Sequence, residues 1–269
     1  MIKLVAIDLD DTLLNDKKEI TAENRQALQY AQEKNVKVVI CTGRPYLAMN
    51  AIVKELGFTH EDDYIITFNG AQVRRAGTGE VVTENVLSKA DVLAWHEQLT
   101  ALSLPLDAIG QRYLYLPTTY PAGFPSLYAE RLSNLETQVV EFHEFPTDQV
   151  INKMVVCTEA KHLDMQLAKI DPEFRAQYST FKSRTFLLEI VAKGVSKGNT
   201  LRELGEVLNI LPEEMMTIGD QENDVSMIEL AGVGVAMGNA VPAAKQVADY
   251  ITADNNSNGV AQAIYHFIK

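Results

Sequence analysis

The feature that most constrains the fold is a short apolar run that ends in carboxylates. Leu4-Val5-Ala6-Ile7 suits a strand buried on both faces, and Asp8, Asp10 and Asp11 follow it directly. Anions at the edge of a core repel one another and are costly to desolvate unless a cation neutralises them. An acidic turn after one strand would be ordinary if it stood alone, so its meaning depends on the rest of the chain.

Polar clusters also end two other predicted strands. Val36–Cys41 leads into Thr42-Gly43-Arg44, and Met215–Ile218 leads into the segment Gly219–Asp224. Because the carboxyl ends of strands in an open parallel sheet form one ligand crevice, we expect the three clusters to converge. Turns between strands and helices are commonly polar, but this does not account for the acidity of two of the clusters. The sequence therefore predicts an α/β fold with a single polar site.

The pattern of the chain changes between residues 84 and 189. Ser88 with Asp91 resembles a capping box that opens a helix, and short strands and helices rich in proline follow. We predict an inserted α+β domain over residues 84–189 and a catalytic core built from residues 1–83 and 190–269. The apolar run Phe186–Val191 is interpreted as a strand, with which the alternation of buried strands and helices seen before residue 84 returns. Ser196 is expected to cap the next helix, with Lys197 at its start.

Composition excludes some classes of ligand. A formal net charge of −12 repels nucleic acid and anionic membranes, so a phosphate-bearing ligand must be a small molecule held by local groups. Cys41 and Cys157 lie in apolar runs, which is typical of buried thiols in a reducing compartment. No apolar run approaches the length of a bilayer span. We expect a cytoplasmic monomer or homodimer that binds neither nucleic acid nor membrane.

The clusters, taken in order, resemble the four motifs of the haloacid dehalogenase superfamily. The matching residues are Asp8-Leu9-Asp10-Asp11-Thr12, Thr42, Lys197, and Gly219-Asp220 with Asp224. The insert between the second and third motifs is similar to that of the Cof-type branch, whose members are mostly sugar-phosphate phosphatases. The resemblance implies a Rossmann-like parallel-sheet core with an inserted α+β cap of the C2 type. Asp11 departs from the family, which usually has glycine there.

The resemblance also implies a specific role for each of the site residues. Asp8 would be the nucleophile that forms an aspartyl-phosphate, and Asp10 the general acid and base. Mg²⁺ would be bound by the carboxylates of Asp8 and Asp220 and by the backbone carbonyl of Asp10, with Asp224 supporting these ligands. The ligand atoms are all hard oxygens, and no histidine is near the clusters. The residues expected to bind substrate phosphate are Leu9, Thr42, Gly43, Arg44, Lys197 and Asn223.

The expected function is therefore a Mg²⁺-dependent phosphatase of small phosphorylated metabolites, with two alternatives. A phosphomutase of this superfamily usually has its cap between the first two motifs, where here only Thr21–Cys41 fits. A non-catalytic phosphometabolite regulator would be expected to lack Asp8 or Asp10. For Arg44, an arginine in an exposed turn is equally compatible with a structural role. Asn69 and Glu189 are weaker candidates for supporting or specificity roles.

Overall fold

The computed structural model describes residues 1–58, 60–131 and 135–269. The strands are β1 Leu4–Asp8, β2 Lys37–Cys41, β3 Tyr64–Thr67, β4 Gln72–Arg75, β5 Val81–Glu84, β6 Asp107–Ile109, β7 Tyr113–Pro117, β8 Glu136–Val140, β9 Lys153–Cys157, β10 Tyr178–Arg184, β11 Leu187–Ala192, β12 Met215–Gly219, β13 Val233–Ala236 and β14 Tyr250–Ile251. The α-helices are α1 Ala22–Glu33, α2 Asn50–Glu55, α3 Lys89–Ala101, α4 Tyr128–Arg131, α5 Ala160–Leu167, α6 Pro172–Arg175, α7 Lys197–Leu208, α8 Val225–Leu230, α9 Pro242–Val247 and α10 Gly259–Phe267. Single helical turns of other types cover Leu9–Leu13, Tyr46–Met49, Phe68–Gly70, Phe142–Glu144, Pro212–Glu214 and Glu222–Asp224.

The chain divides into two compact units. The first unit comprises Met1–Arg44, Asn50–Thr83 and Ser196–Lys269, and the second comprises Pro45–Met49 and Glu84–Val195. The division after Thr83 lies where the sequence pattern changes, but the second boundary follows Val195 and not residue 189. The predicted boundary at 189/190 is therefore corrected to 195/196.

The first unit is built on an eight-stranded sheet with the order β14-β13-β12-β1-β2-β3-β4-β5. Neighbouring strands from β14 to β3 are parallel, and β4 returns antiparallel to β3. The predicted α/β class with a parallel core sheet is confirmed. All five residues of β1 are buried, because β1 lies between β2 and β12 and its side chains pack beneath helices such as α7. This arrangement accounts for its uninterrupted apolar sequence.

The predicted helix caps in the first unit are present. The Thr21 hydroxyl accepts a hydrogen bond from the Asn24 N–H at the start of α1, and the Ser196 hydroxyl accepts one from the Asn199 N–H at the start of α7. The Ser196 cap places Lys197 in the first turn of α7. Among the described residues, none of the helices has the length and apolar character that a bilayer crossing requires.

The second unit has a six-stranded sheet with the order β10-β11-β9-β6-β7-β8. Its strands pair antiparallel except for β7 and β8, which are parallel. The predicted capping box opens α3: the Ser88 hydroxyl accepts from the Asp91 N–H, and the Asp91 carboxylate accepts from the Ser88 N–H. The core between this sheet and its helices contains Trp95, Met154 and Leu188.

The run interpreted as the first strand of the returning core belongs instead to this second sheet. Strand β11 pairs with β9 on one side and with β10 on the other. Its first five residues are all buried. A short apolar strand that is buried on both faces has the same sequence pattern in either sheet, so periodicity does not distinguish the two.

The second sheet also carries buried polar groups on one face. The strand register places Asp107 and Glu189 on either side of Val155, on the same face of the sheet. Lys153 forms a buried ion pair with Glu189, so Glu189 takes part in the interior of the second unit. Asp107 is fully buried and accepts hydrogen bonds from the hydroxyls of Tyr120 and Ser126. Burial raises the pKa of Asp107 to about 6.

We expect Asp107 to make the second unit less stable as the pH rises. The native state binds this proton more tightly than the unfolded chain does, so stability falls between about pH 4 and pH 6 and stays low above that range. Between pH 4 and pH 7, the wild type should lose about 2 kcal/mol relative to Asp107→Asn, from a pKa difference of about two whose effect has already begun at pH 4. Urea unfolding followed by the fluorescence of Trp95, the single tryptophan, measures this difference. If the free energy of unfolding changed equally with pH in the two proteins, the raised pKa of Asp107 would be contradicted.

Candidate active site

The strand register brings the three polar clusters to one edge of the first sheet. Asp8 is level with Cys41 of β2, and Ile7 is level with Ile218 of β12. Thr42 and Asp220 follow these partners within two residues, so the strand ends that carry them are adjacent. A hydrogen bond of 2.9 Å from the Thr12 hydroxyl to Asp220 Oδ1 joins the first and last clusters directly. The convergence predicted from the sequence is therefore present.

Three buried carboxylates form the centre of this edge, and we call them the carboxylate cluster: Asp8, Asp220 and Asp224. One oxygen from each lies within 4.8 Å of the other two. The ammonium of Lys197, which is fully buried, lies 2.5 Å from Asp8 Oδ1 and 2.6 Å from Asp224 Oδ1. The helix α7 thus inserts one positive charge among three carboxylates.

The electrostatics of the carboxylate cluster leave a deficit of positive charge. Burial, and then repulsion by Asp224, raise the pKa of Asp8 well above its usual value, although Lys197 opposes the shift. Burial and Asp224 likewise raise the pKa of Asp220 to about 7. Although burial disfavours its charge, Asp224 and Asp8 together raise the pKa of Lys197. A further cation bound here would stabilise the ionised carboxylates.

Asp224 holds the parts of the site together through both of its oxygens. Oδ2 accepts hydrogen bonds of 2.9 Å from the backbone N–H groups of Asp220 and Gln221, and Oδ1 accepts the bond from Lys197. A Cβ atom at Gly219 would lie 2.5 Å from the Asp224 Cβ, so a side chain there would displace Asp224. Asp224, four residues after Asp220, therefore fixes the conformation of the loop between the two residues through these hydrogen bonds.

Asp10 is paired with Arg44 in the structure. Arg44 donates from Nε to Asp10 Oδ2 at 2.8 Å and from a terminal nitrogen to Oδ1 at 2.6 Å, which is a bidentate ion pair. Lys18 Nζ lies 3.5 Å from the same carboxylate. Arg44, a predicted phosphate ligand, binds the Asp10 carboxylate with its guanidinium in this structure.

Asp11 occupies a left-handed backbone conformation, with φ of 60°. This conformation explains why glycine suits the position, since residues with a side chain adopt it at a cost. The Asp11 carboxylate forms an ion pair of 3.0 Å with Lys18, and its carbonyl accepts a hydrogen bond from Asn239 Nδ2. These contacts fix Asp11, which stands where the family usually has glycine, in its conformation.

The residues expected to bind phosphate all belong to the first unit. Thr42 is buried, and its hydroxyl oxygen accepts the Arg44 N–H at 3.1 Å, which leaves its proton to be donated. Leu9 is buried within the turn that follows Asp8. Asn223 donates from Nδ2 to Asn69 Oδ1 at 3.0 Å.

Some contacts at this edge were not predicted from the sequence. The bond from Thr12 to Asp220 and the ion pair of Arg44 with Asp10 are of this kind. The only available signal for Thr12 was its place at the end of the first motif. Nothing in the local sequence indicated a partner for Arg44.

A cavity of about 370 Å³ lies beside Asp220 and is surrounded by polar side chains. Its lining residues are Asp11, Asp16, Asp220, Gln221, Asn239, Asp254, Asn255 and Asn256. All of them are acids or amides, so oxygen atoms that could bind a hard cation or its water ligands are plentiful.

Comparison with known proteins agrees with this geometry. Residues 5–264 match the model of a family described as haloacid dehalogenase-like hydrolases. The Bacillus subtilis (strain 168) protein YxeH is 37% identical over 268 residues, with 100% of this chain and 99% of YxeH covered. The 5-amino-6-(5-phospho-D-ribitylamino)uracil phosphatase YcsE of the same organism is 30% identical, with 99% and 96% covered. A haloacid dehalogenase-like hydrolase from Bacteroides thetaiotaomicron has a similar crystal structure, with a TM-score of 0.83, 31% identity and 100% of both chains covered. The chain belongs to the haloacid dehalogenase-like hydrolase family.

Proposed function

We propose that the protein is a Mg²⁺-dependent phosphatase of small phosphorylated metabolites, with sugar phosphates as the preferred class. The observation that carries the proposal is the convergence of three buried carboxylates and one buried lysine at adjacent strand ends. YcsE, a relative along nearly its full length, is named for the hydrolysis of a phosphorylated ribityl compound. The sequence motifs also resemble those of the bacterial sugar phosphatase YidA, which supports a sugar phosphate as substrate.

The carboxylate cluster has the composition that Mg²⁺ requires. Its donors are oxygens, and Lys197 alone does not balance its charge. The carboxylates of Asp8 and Asp220 and the backbone carbonyl of Asp10 would hold the ion. Asp224 is proposed to support these ligands, because its oxygens accept hydrogen bonds from Lys197 and from the backbone N–H groups of Asp220 and Gln221. When bound, Mg²⁺ would neutralise charge on the phosphoryl oxygens.

Lys197, Asp8 and Asp10 would each carry out a different part of the reaction. Lys197 favours the ionised form of Asp8, whose carboxylate oxygen would attack phosphorus and form an aspartyl-phosphate as the alcohol departs. Asp10 would give a proton to that alcohol and later take one from the hydrolytic water. Because the ion pair with Arg44 stabilises the carboxylate form of Asp10, Asp10 must gain a proton before it can act as the acid.

The phosphoryl group is assigned to the remaining polar groups of the first unit. The Thr42 hydroxyl, the backbone at Leu9 and Gly43, and the side chains of Lys197 and Asn223 are the proposed contacts. Hydroxyl, ammonium and backbone N–H donors suit the anionic phosphoryl oxygens. The second unit, which the sequence resemblance identifies as a cap, is proposed to choose the leaving group.

We expect the purified protein to hydrolyse p-nitrophenyl phosphate and members of a panel of hexose and pentose phosphates when Mg²⁺ is present. Released inorganic phosphate is the measurement. Chelation by EDTA should reduce the rate to background, and added Mg²⁺ should restore it, because the carboxylates need the ion to offset their charge. Failure to hydrolyse any ester with Mg²⁺ would refute the proposal and would favour a regulator that only binds its ligand.

A further inference from the structure

The turn Phe68–Gly70 has an unusual backbone for a fully buried segment. Its three residues lie in succession at positive φ, with values of 52° for Phe68, 59° for Asn69 and 103° for Gly70. Residues with a side chain adopt this region at a cost, which persists where surrounding contacts hold the conformation. Hydrogen bonds from both sides hold this turn in its conformation.

The turn joins two parts of the proposed phosphoryl site. Its backbone N–H groups donate to the carbonyls of Arg44 and Thr42, at 3.2 Å from Phe68 and 3.0 Å from Asn69. On its other side, the Gly70 carbonyl accepts a hydrogen bond of 2.8 Å from the Thr200 hydroxyl of α7. The turn thus connects the Thr42–Arg44 segment with the helix that carries Lys197.

Gly70 is required for this close approach. A Cβ atom there would lie 2.5 Å from the Ser196 carbonyl oxygen, which belongs to the residue just before Lys197. The start of α7 can therefore approach the turn only when residue 70 has no side chain. The positive φ of Gly70 is suited to glycine for the same reason.

The Asn69 side chain adds a third connection. It is fully buried and accepts the 3.0 Å hydrogen bond from Asn223, which lies between Asp220 and Asp224. It also packs against Gly43, where an added Cβ would lie 2.9 Å from Asn69 Oδ1. One amide thus contacts the residue after Thr42 and the loop of the carboxylate cluster.

The paired amides each keep one polar atom without a protein partner. These atoms are Asn69 Nδ2 and Asn223 Oδ1, and both are buried. Buried polar atoms normally have partners, so these two atoms are available for a hydrogen bond with a bound ligand. Exchanging the oxygen and nitrogen positions within both side-chain amides would preserve the bond between them, with Asn69 Nδ2 now donating to Asn223 Oδ1. The Asn223 atom without a protein partner would then be Nδ2, with its N–H, and not Oδ1. That N–H is the group that an anionic phosphoryl oxygen would accept from.

We propose that Asn69 is a positioning residue for phosphoryl binding, which holds the amide of Asn223 so that Asn223 can donate to the phosphoryl group. The inference deepens the proposed function and rests on its assignment of the phosphoryl site to Thr42, Gly43, Lys197 and Asn223. Asn69 acts through Asn223, so removing either amide should have the same consequence as removing both.

A double-mutant cycle measured on phosphate binding tests this dependence. Isothermal titration of inorganic phosphate, in buffer containing MgCl₂, is compared for the wild type, Asn69→Gly, Asn223→Ala and the double variant. Glycine suits the positive φ of residue 69, so Asn69→Gly removes the amide with little backbone strain. Each single variant should bind phosphate about tenfold more weakly, as expected for one hydrogen bond to a charged group. The double variant should also be about tenfold weaker, because the two residues act as a unit.

Asn35→Gly is the matched control. Asn35 is exposed, lies at φ 61° and belongs to the same unit, so this variant makes the same chemical change at a left-handed position on the surface. Its phosphate affinity should equal that of the wild type. If Asn69→Gly does not fold, Asn69→Asp replaces it, since aspartate tolerates positive φ and lacks the amide donor. Asn69→Asp should also weaken phosphate binding at least tenfold.

Three results would overturn the inference: no phosphate binding by the wild type, unchanged affinity in the Asn69 variant, or an additive loss of about a hundredfold in the double variant. An additive loss would show that the two amides act independently. The proposed function has a separate test, because phosphate binding needs no turnover. A wild type that shows the coupled binding pattern but hydrolyses no ester would leave the role of Asn69 intact and refute the phosphatase.

Discussion

We expect the Asp8→Asn variant to lose about four orders of magnitude or more in phosphatase turnover while remaining folded. The amide of asparagine carries no negative charge and is a poor nucleophile toward phosphorus, so no aspartyl-phosphate can form. The substitution is nearly isosteric, and it removes one of the three acids of the carboxylate cluster, in which the ammonium of Lys197 pairs with Asp8 and Asp224. Because the carboxylate cluster has an excess of negative charge, the free energy of unfolding of the variant should not fall below that of the wild type.

The measurement is release of phosphate from p-nitrophenyl phosphate, with urea unfolding of the same samples. Asp62→Asn is the control, since Asp62 has an exposed carboxylate in the same unit and the same charge is removed. That variant should retain wild-type turnover. Substantial activity in Asp8→Asn would show that another group attacks phosphorus.

The arrangement of the strand ends was predictable because it follows from a general rule of parallel sheets. Asp8 ends a short buried strand, Thr42 and Asp220 each follow one, and such strand ends share one edge of the sheet. The helix caps at Thr21, Ser88 and Ser196 were predictable for a similar reason, since their partners lie within three residues along the chain. Local signals and one topological rule were sufficient for these features.

Contacts that depend on a choice between distant partners were not predictable. Arg44 could have faced a ligand or a neighbouring acid, and only the folded geometry shows that it binds Asp10, 34 residues away in sequence. The strand β11 could have joined either sheet, because its buried sequence suits both. The bond between Asn69 and Asn223 spans 154 residues and leaves no local sequence pattern. Each of these outcomes depends on tertiary packing.

We expect Lys197→Met to be the most destabilising single change at the site, with a cost of about 3–5 kcal/mol at neutral pH. Methionine fills similar space but leaves the buried carboxylates of Asp8 and Asp224 without their ammonium partner. The pKa of Asp8 is already raised by burial, and without Lys197 it should rise further. A carboxyl whose native pKa is raised is most stabilising when protonated, so the deficit of the variant should shrink as the pH falls from 8 to 5. Urea unfolding in the presence of EDTA measures this deficit.

A second substitution separates the two consequences of losing Lys197. Adding Asp224→Asn to Lys197→Met removes one buried negative charge along with the positive one, so the double variant should recover a large part of the lost stability. It should not recover turnover, because Asp8 would still lack the cation that keeps it ionised. Lys3→Met is the control: Lys3 pairs with Glu214 at the surface, and exposed pairs contribute at most about 1 kcal/mol. If the double variant were as unstable as Lys197→Met, lost packing and not unpaired charge would account for the destabilisation.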